Sequence, residues 1–184
     1  MNKKTLIIIN IYFGKLPIWI NEYLRSCSKN KEINWIIYTN NKAPKNKPKN
    51  VKFKKITKKE FEKLVNKQTG IKINLENPYK LCDLKPLYGK IFEKQIKNYQ
   101  YYAITDLDII YGNIKKFLNK KTLKNYEIIN MKKNYLVMHF IIMRNTKKIR
   151  NLYKKIKNHK KIIQSKKVYG FDERNQIIKQ RETQ

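Results

Sequence analysis

The sequence predicts an α/β protein, a single domain in which helices flank a mostly parallel β-sheet. Short runs of β-branched and aromatic residues alternate with stretches whose apolar residues recur at helical spacing, which is typical of this class. A chain of 184 residues is long enough to build one hydrophobic core. No internal repeat and no Gly/Ser-rich linker divides it, so we expect one domain over residues 1–184.

The first two elements are predicted to be a strand and a helix. Residues 5–12 form a continuous run of mostly β-branched residues, which is typical of a strand buried on both faces. Gly14 interrupts the run, and Pro17 suits the first turn of a helix. The apolar residues of that helix share one face: Ile20, Tyr23, Leu24 and Cys27.

Two strands and a capped helix are predicted next. Residues 34–39 indicate a second buried strand, and residues 51–56 alternate as in a half-exposed strand. Between them, residues 40–50 contain prolines and many lysines, which indicates a surface loop. Thr57 and Glu60 have the spacing of a capping box, which predicts the start of a helix.

The second half of the chain continues the alternation. Residues 78–97 are predicted to form one helix, and the strand after it carries two aspartates. Further strands are predicted near residues 126–131 and 136–143. Thr146 is predicted to cap the helix that follows.

The chain is strongly basic. It contains 44 Lys and Arg residues against 13 Asp and Glu residues, which gives a formal net charge of +31. Such a charge attracts polyanions and acidic membrane surfaces. The lysines are spread along the chain, and Lys, Asn, Ile and Tyr are over-used together, which indicates a compositional bias. We therefore expect no specific nucleic-acid partner, while peripheral contact with an acidic membrane and a non-catalytic, polyanion-binding role stay open.

No apolar run is long enough to cross a bilayer. The run at residues 6–11 is far shorter than the roughly 20 residues that a spanning helix needs, and no signal-peptide cleavage site follows it. We therefore expect a cytoplasmic protein, at most peripheral to the membrane. Cys27 and Cys82 are accordingly expected to be reduced thiols rather than a disulfide.

Asp106 and Asp108 are two of the few acids of this basic chain, and they lie in its most strand-like segment. On a strand, both carboxylates would point to one side and Leu107 to the other. Two unpaired carboxylates this close repel each other. A hard divalent cation such as Mg²⁺ or Mn²⁺ is the simplest partner; backbone amides or neighbouring lysines are the alternative. The pair is predicted at the carboxyl end of a strand, where open α/β sheets bind ligands.

Four motifs occur in a fixed order along the chain. They are Tyr-Phe-Gly at 12–14, Tyr-Thr-Asn at 38–40, NPYKLCDLKPLYG at 77–89 and TDLDIIYGNI at 105–114. Together they resemble an uncharacterised family of glycosyltransferase-like proteins with the GT-A fold, a Rossmann-like fold. That family is distantly similar to the glycogenin-type and capsular-polysaccharide sugar transferases. The resemblance covers about residues 4–144.

The resemblance implies a D-x-D transferase of polysaccharide biosynthesis that uses Mn²⁺ or Mg²⁺ and a nucleotide-sugar donor. Its acceptor would be a glycan, a glycolipid or a protein. Asp108 would be the main metal ligand, and Asp106 would contact the ribose or share the metal. Asp83 and Lys85 would face the sugar and the diphosphate as catalytic and donor-binding residues. Lys85 would add positive charge beside the leaving nucleoside diphosphate.

The resemblance also implies a nucleoside pocket lined by Tyr12, Phe13 and Thr39. In related proteins the threonine is often followed by aspartate, and this chain has Asn40 instead. The family frequently uses a late histidine as a further metal ligand. His139 is the candidate here, with an acceptor contact and a satisfied core histidine as alternatives.

The acids near the carboxyl terminus complete the set of candidates. Asp172 and Glu173 resemble a late Asp-Glu step of the family and would serve the acceptor or cap the last helix. The chain ends at Gln184, earlier than the resemblance leads one to expect. The acceptor side of the domain is therefore expected to be short.

Overall fold

A six-stranded mixed sheet forms the centre of the computed structural model, which describes residues 3–132 and 135–172. The spatial order of the strands is β3-β2-β1-β4-β6-β5. Their bounds are β1 Lys4–Tyr12, β2 Asn34–Thr39, β3 Val51–Lys55, β4 Tyr99–Thr105, β5 Ile128–Asn130 and β6 Phe140–Arg144. The predicted α/β class is confirmed.

The strand directions correct the prediction of a mostly parallel sheet. β1 pairs in parallel with β2 and with β4, and β2 pairs in parallel with β3. β6 is antiparallel to both β4 and β5. The connection between β5 and β6 is short, and a short connection permits only antiparallel pairing of the two strands that it joins.

Short helices flank the sheet in the described part of the chain. The α-helices are α1 Ile20–Ser28, α2 Lys58–Thr69, α3 Lys80–Leu84, α4 Tyr88–Ile91, α5 Glu93–Ile96, α6 Lys120–Asn125, α7 Lys147–Arg150 and α8 His159–Gln164. The 3₁₀ turns are Lys85–Leu87, Ile114–Lys116 and Leu152–Lys155. None of the described helices has the length and apolar composition needed to cross a membrane.

The single helix predicted over residues 78–97 is wrong. The segment is divided into α3, a 3₁₀ turn, α4 and α5. Pro86 lies in the 3₁₀ turn, where its ring and its missing N–H are incompatible with a continuous α-helix. Phe92, between α4 and α5, has a non-helical ψ of 23°.

Both faces of the sheet are buried, as the apolar runs predict. On β1, Leu6 and Ile8 pack with α1 in one core cluster. Ile7 and Ile9 pack on the other face, in the cluster that includes α2, α4 and α8 residues.

The predicted capping box is confirmed: Thr57 and Glu60 form the reciprocal capping box of α2. Thr146 caps α7, and Cys27 and Cys82 are free thiols.

Gly89 lets α4 approach β4 closely. A Cβ added at Gly89 would lie 2.3 Å from Oη and 2.6 Å from Cζ of Tyr102. Tyr102 is buried, and its hydroxyl donates to Sδ of Met143 at 3.2 Å, so its ring has little room to move. The glycine of the LYG sequence at 87–89 therefore has a packing role.

We expect Gly89→Ala to destabilise the protein by about 1–3 kcal/mol, the usual cost of overpacking a core. This clash outweighs the gain of about 1 kcal/mol in helix propensity. Gly112→Ala is the matched control, because a Cβ there meets no atom within 4 Å, and we expect a change within about 0.5 kcal/mol. Urea unfolding of both variants measures the difference, and equal stabilities would contradict the packing role.

Candidate functional site

A pocket opens at the carboxyl ends of the parallel strands. β1 and β4 are parallel neighbours, so the residues that follow them meet at one edge of the sheet. The pocket has a volume of about 340 Å³. Its lining includes Tyr12 and Phe13 from the end of β1 and Asp106 from the end of β4. Lys85 and Tyr88, from the helical segment that precedes β4, complete this part of the lining. Four of the residues predicted from sequence are thus brought together.

The two aspartates follow β4 rather than lie on it, which corrects the strand prediction. β4 ends at Thr105, and the backbone N–H of Asp106 donates to the carbonyl of His139 at 3.2 Å. Leu107 is buried on the α1 side of the sheet, as predicted. Asp108 lies in the turn that follows and is exposed. The carboxylates therefore differ: Asp106 lines the pocket, and Asp108 faces solvent.

Lys85 lies between two carboxylates. Its Nζ is 2.9 Å from Oδ1 of Asp106 and 3.0 Å from Oδ2 of Asp172. The Lys85 and Asp172 side chains are only 7% and 5% exposed, whereas that of Asp106 is 37% exposed. One ammonium is thus shared by two acids that are far apart in sequence.

This sharing shifts the pKa values of the cluster. Burial lowers the pKa of Lys85, but the charges and hydrogen bonds of Asp106 and Asp172 outweigh burial and hold that pKa above its ordinary value. Burial, together with the charges of Asp108 and Asp172, raises the pKa of Asp106 above its ordinary value, although the charge and hydrogen bond of Lys85 lower it. Cys82 also lines the pocket. Burial and, next, the charge of Asp172 raise the pKa of its thiol to about 11, so it is not a thiolate nucleophile at neutral pH.

A buried polar network lies beneath the aspartate turn. Nδ2 of Asn10 donates to the carbonyl of Thr105 at 2.6 Å and to its Oγ1 at 2.9 Å. The Tyr23 hydroxyl donates to Oδ1 of Asn10 at 2.8 Å, and the Tyr111 hydroxyl is 2.6 Å from Oγ1 of Thr105. These bonds fix the end of β4 one residue before Asp106. Sequence reasoning missed this network, although an asparagine in the apolar run 5–12 was its signal.

Asp83 does not face the pocket, which corrects its predicted catalytic role. Its side chain is fully buried, and it accepts hydrogen bonds from Nζ of Lys80 at 2.8 Å and from the backbone N–H of Phe171 at 2.8 Å and of Tyr169 at 3.0 Å. Lys80 is equally buried and donates further to the carbonyls of Ile162 and Lys167. This buried ion pair anchors the segment 167–172.

Thr39 also lies outside the pocket lining. It is fully buried, and its Oγ1 accepts from the backbone and side-chain nitrogens of Asn41. Asn40 accepts from the backbone N–H of Gly14 at 3.0 Å. Gly14 has a φ of +112°, a conformation that favours glycine. Asn40 therefore helps to fix the turn that follows Phe13.

The residues present fit a divalent cation only in part. Among the described residues, no group of three or more His, Cys, Asp and Glu side chains could hold a metal ion, so His139 is not brought into a three-residue site. It lines a second, apolar pocket of about 300 Å³. Mg²⁺, however, is commonly held by one or two carboxylates together with substrate phosphates. Asp106 at the pocket and the exposed Asp108 are two carboxylates two positions apart.

Of the late acid pair, Asp172 forms an ion pair with Lys85 at 3.0 Å. Glu173 lies outside the described residues. No local sequence pattern connects Asp172 with Lys85, so this ion pair could not be predicted from the sequence.

The model of a family of unknown function, DUF6625, matches residues 8–184. No curated protein and no solved structure matches the chain.

We expect Asp83→Asn to cost about 3–5 kcal/mol of stability, because it leaves the Lys80 ammonium buried without a counter-charge. Glu76→Gln is the control: its ion pair with Lys166 is 3.3 Å long and mostly exposed, and such pairs contribute at most about 1 kcal/mol. Urea unfolding measures both. Hydrogen exchange at the amides of Tyr169 and Phe171 should accelerate in the first variant alone. Unchanged stability and exchange would contradict the anchoring role.

Lys85→Met should destabilise the protein by up to about 3 kcal/mol, the low end for a broken buried pair, because Asp106 stays partly exposed. Adding Asp172→Asn should recover part of this loss, since only one carboxylate then remains. Lys115→Met, at an exposed lysine, is the control for removing a positive charge. The double-mutant cycle is measured by urea unfolding, and strict additivity would mean that Lys85 and Asp172 are not coupled.

Proposed function

The chain belongs to the DUF6625 family, whose function is unknown, and we propose that it is a metal-dependent glycosyltransferase. In this proposal it moves a sugar from a nucleotide-sugar donor to a glycan, lipid or protein acceptor, and its α/β fold is of the GT-A type. The observation that carries the proposal is the contact between Lys85 and Asp106. It joins the two central motifs, 77–89 and 105–114, at the mouth of one pocket.

The pocket has the size and lining for part of a nucleotide. Ligand pockets are typically about 300–1,000 Å³, mostly apolar, with a few convergent polar groups. At about 340 Å³, this one is at the small end, which suits a nucleoside with its phosphates at the mouth. Tyr12 and Phe13 would provide an aromatic wall for the base, and Tyr79 would lie at the rim.

Asp106 and Asp108 would hold the cation together with the donor diphosphate. When bound, Mg²⁺ or Mn²⁺ would neutralise the charge that develops on the leaving nucleoside diphosphate. Asp108 is exposed and can turn its carboxylate toward an incoming cation without breaking a buried contact. Asp106 is held in place by Lys85 and by the backbone bond to His139. We leave His139 out of the ligand set.

Lys85 would act on the diphosphate by charge and position. Its two acidic neighbours keep it protonated, and the surrounding protein keeps it nearly dry. A preorganised positive charge of this kind stabilises developing negative charge more effectively than a solvated lysine. Asp172 would position Lys85, and Asp83 would act indirectly, by anchoring the segment that carries Asp172.

A non-catalytic, polyanion-binding protein is the second candidate, and the net charge of +31 favours it. Such binding would be steeply salt-dependent and would need no divalent cation. The two candidates therefore differ in whether binding requires metal and the aspartate turn.

With Mn²⁺ and a nucleotide sugar at about 100 times its Kd, the free energy of unfolding should rise by about 2.7 kcal/mol. Asp108→Asn should remove most of this gain, because a neutral amide is a poor ligand for a hard cation. Glu32→Gln, an exposed acid just before β2 and thus at the opposite edge of the sheet, should keep it. Thermal unfolding with a panel of nucleotide sugars, with and without Mn²⁺, provides the measurement.

Three outcomes would count against the transferase. A gain that persists in EDTA but disappears at high salt would favour the polyanion-binding candidate. If Asp108→Asn and Glu32→Gln lose the same amount of this ligand-induced stabilisation, the aspartate turn is not the site. If the protein binds a nucleotide sugar but releases no nucleoside diphosphate, with water or any offered acceptor present, the proposal is limited to donor binding.

A further inference from the structure

The ammonium of Lys85 contacts both oxygens of the Asp106 carboxylate. Its Nζ lies 2.9 Å from Oδ1 and donates to Oδ2 at 3.0 Å. Hard divalent cations bind proteins through carboxylate oxygens of this kind. In the arrangement of the free protein, a cation that approaches Asp106 therefore meets a positive charge that already engages both oxygens. Lys85 and a divalent cation compete for the same carboxylate.

Asp172 gives Lys85 a second counter-charge. Its Oδ2 is 3.0 Å from Nζ of Lys85. The Asp172 side chain is 5% exposed, whereas that of Asp106 is 37% exposed, so Asp172 is the inner partner of the lysine and Asp106 is the partner that a ligand can reach. When Lys85 leaves Asp106, it is still paired with Asp172. It thus avoids the costly state of a buried charge without a partner.

The lysine is the movable member of this cluster. The backbone on the Asp106 side is fixed, because the N–H of Asp106 donates to the carbonyl of His139 at 3.2 Å and Nδ2 of Asn10 donates to the carbonyl of Thr105 at 2.6 Å. Lys85 instead carries its charge on a flexible four-carbon chain. Because Lys85 and Asp106 line the same pocket, a phosphate group in that pocket competes with Asp106 for the ammonium.

The charges of the cluster make each ligand unfavourable alone. Lys85 contributes one positive charge, and Asp106 and Asp172 contribute two negative charges. A diphosphate without a cation therefore enters a site with an excess of negative charge, where like charges repel. A cation without a diphosphate enters a site whose Asp106 carboxylate is already neutralised by Lys85. The two ligands together remove both obstacles.

We propose that Lys85 couples the binding of a divalent cation to the binding of a diphosphate by exchanging partners. In the free protein it is the counter-cation of Asp106. A diphosphate takes over its ammonium, which stays paired with Asp172, and the Asp106 carboxylate is then free for the cation. The inference rests on the proposed function for the identity of the two ligands, and it adds how their binding is regulated.

Titration calorimetry of the full chain with Mn²⁺ and inorganic pyrophosphate tests the exchange. The coupling factor is the Kd of Mn²⁺ without pyrophosphate divided by its Kd at saturating pyrophosphate, corrected for the complex that the two form in solution. Coupled sites commonly have factors of about 5–150. Lys85→Met should bind Mn²⁺ alone about tenfold more tightly than the wild type, and its coupling factor should be at least about fivefold smaller.

The coupling factor separates an exchange from a simple charge effect. A lysine that acts on each ligand only through its charge changes both affinities, but these effects are additive and leave the coupling factor unchanged. Lys15→Met is the matched control, because Lys15 is an exposed lysine in the connection after β1. We expect it to keep the wild-type coupling factor.

A second variant keeps the test decisive if Lys85→Met is too unstable to titrate. Lys85→Met combined with Asp172→Asn should recover part of the lost stability, since one carboxylate then remains beside the missing lysine. The double variant also lacks the exchanging ammonium. Its coupling factor should therefore be reduced like that of Lys85→Met, and urea unfolding confirms that it is folded.

The outcomes distinguish the exchange from the transferase proposal. A wild-type coupling factor in the Lys85 variants, or a wild type that binds Mn²⁺ and pyrophosphate without coupling, overturns the exchange and leaves the transferase proposal standing. A wild type that binds neither ligand overturns the exchange as well. Coupling that depends on Lys85, in a protein that no nucleotide sugar stabilises, supports the exchange and counts against the transferase.

Discussion

The ammonium of Lys85 lies between the carboxylates of Asp106 and Asp172, and the geometry of the pocket depends on this contact. The three residues come from a broken helical segment, from the end of β4 and from the last described residue of the chain. Removing the lysine would leave two acids facing each other in a largely dry environment, where like charges are costly. The cluster therefore holds three distant parts of the chain in one arrangement and keeps a positive charge at the pocket.

A second buried cation, Lys80, makes that arrangement possible. With Asp83 it binds the backbone of the segment 167–171, and Asp172 follows directly. Asp83 and Lys85 are two positions apart at the end of α3, and side chains two positions apart on a helical turn point in different directions. Asp83 therefore reaches the last segment together with Lys80, while Lys85 reaches the pocket.

The pocket and the polar network beneath it lie at one edge of the sheet. Connections that follow parallel strands meet there, which brings Asp106 together with the aromatic residues at the end of β1. Loops at this edge are free to carry binding groups because the strands beneath them are fixed by two buried faces. The polar network of Asn10, Thr105 and Tyr111 adds rigidity directly below the turn.

The sequence by itself determined the features that depend on neighbouring residues: β1 and β2, the helix at Ile20–Ser28, the capping box at Thr57 and the cap at Thr146. Hydrophobic periodicity and capping are local, so they can be read from short windows. The motifs also pointed to Lys85, Asp106, Tyr12 and Phe13 as pocket residues.

Only the tertiary structure decided the mixed sheet, the burial of Asp83, the ion pair of Lys85 with Asp172 and the network around Asn10. Each of these depends on contacts between residues far apart in sequence: Asp83 binds a backbone amide 88 positions away, and Asn10 binds a residue 95 positions away. No local pattern encodes such a partner, because the free energy of the pairing exists only once the sheet has brought the two segments together.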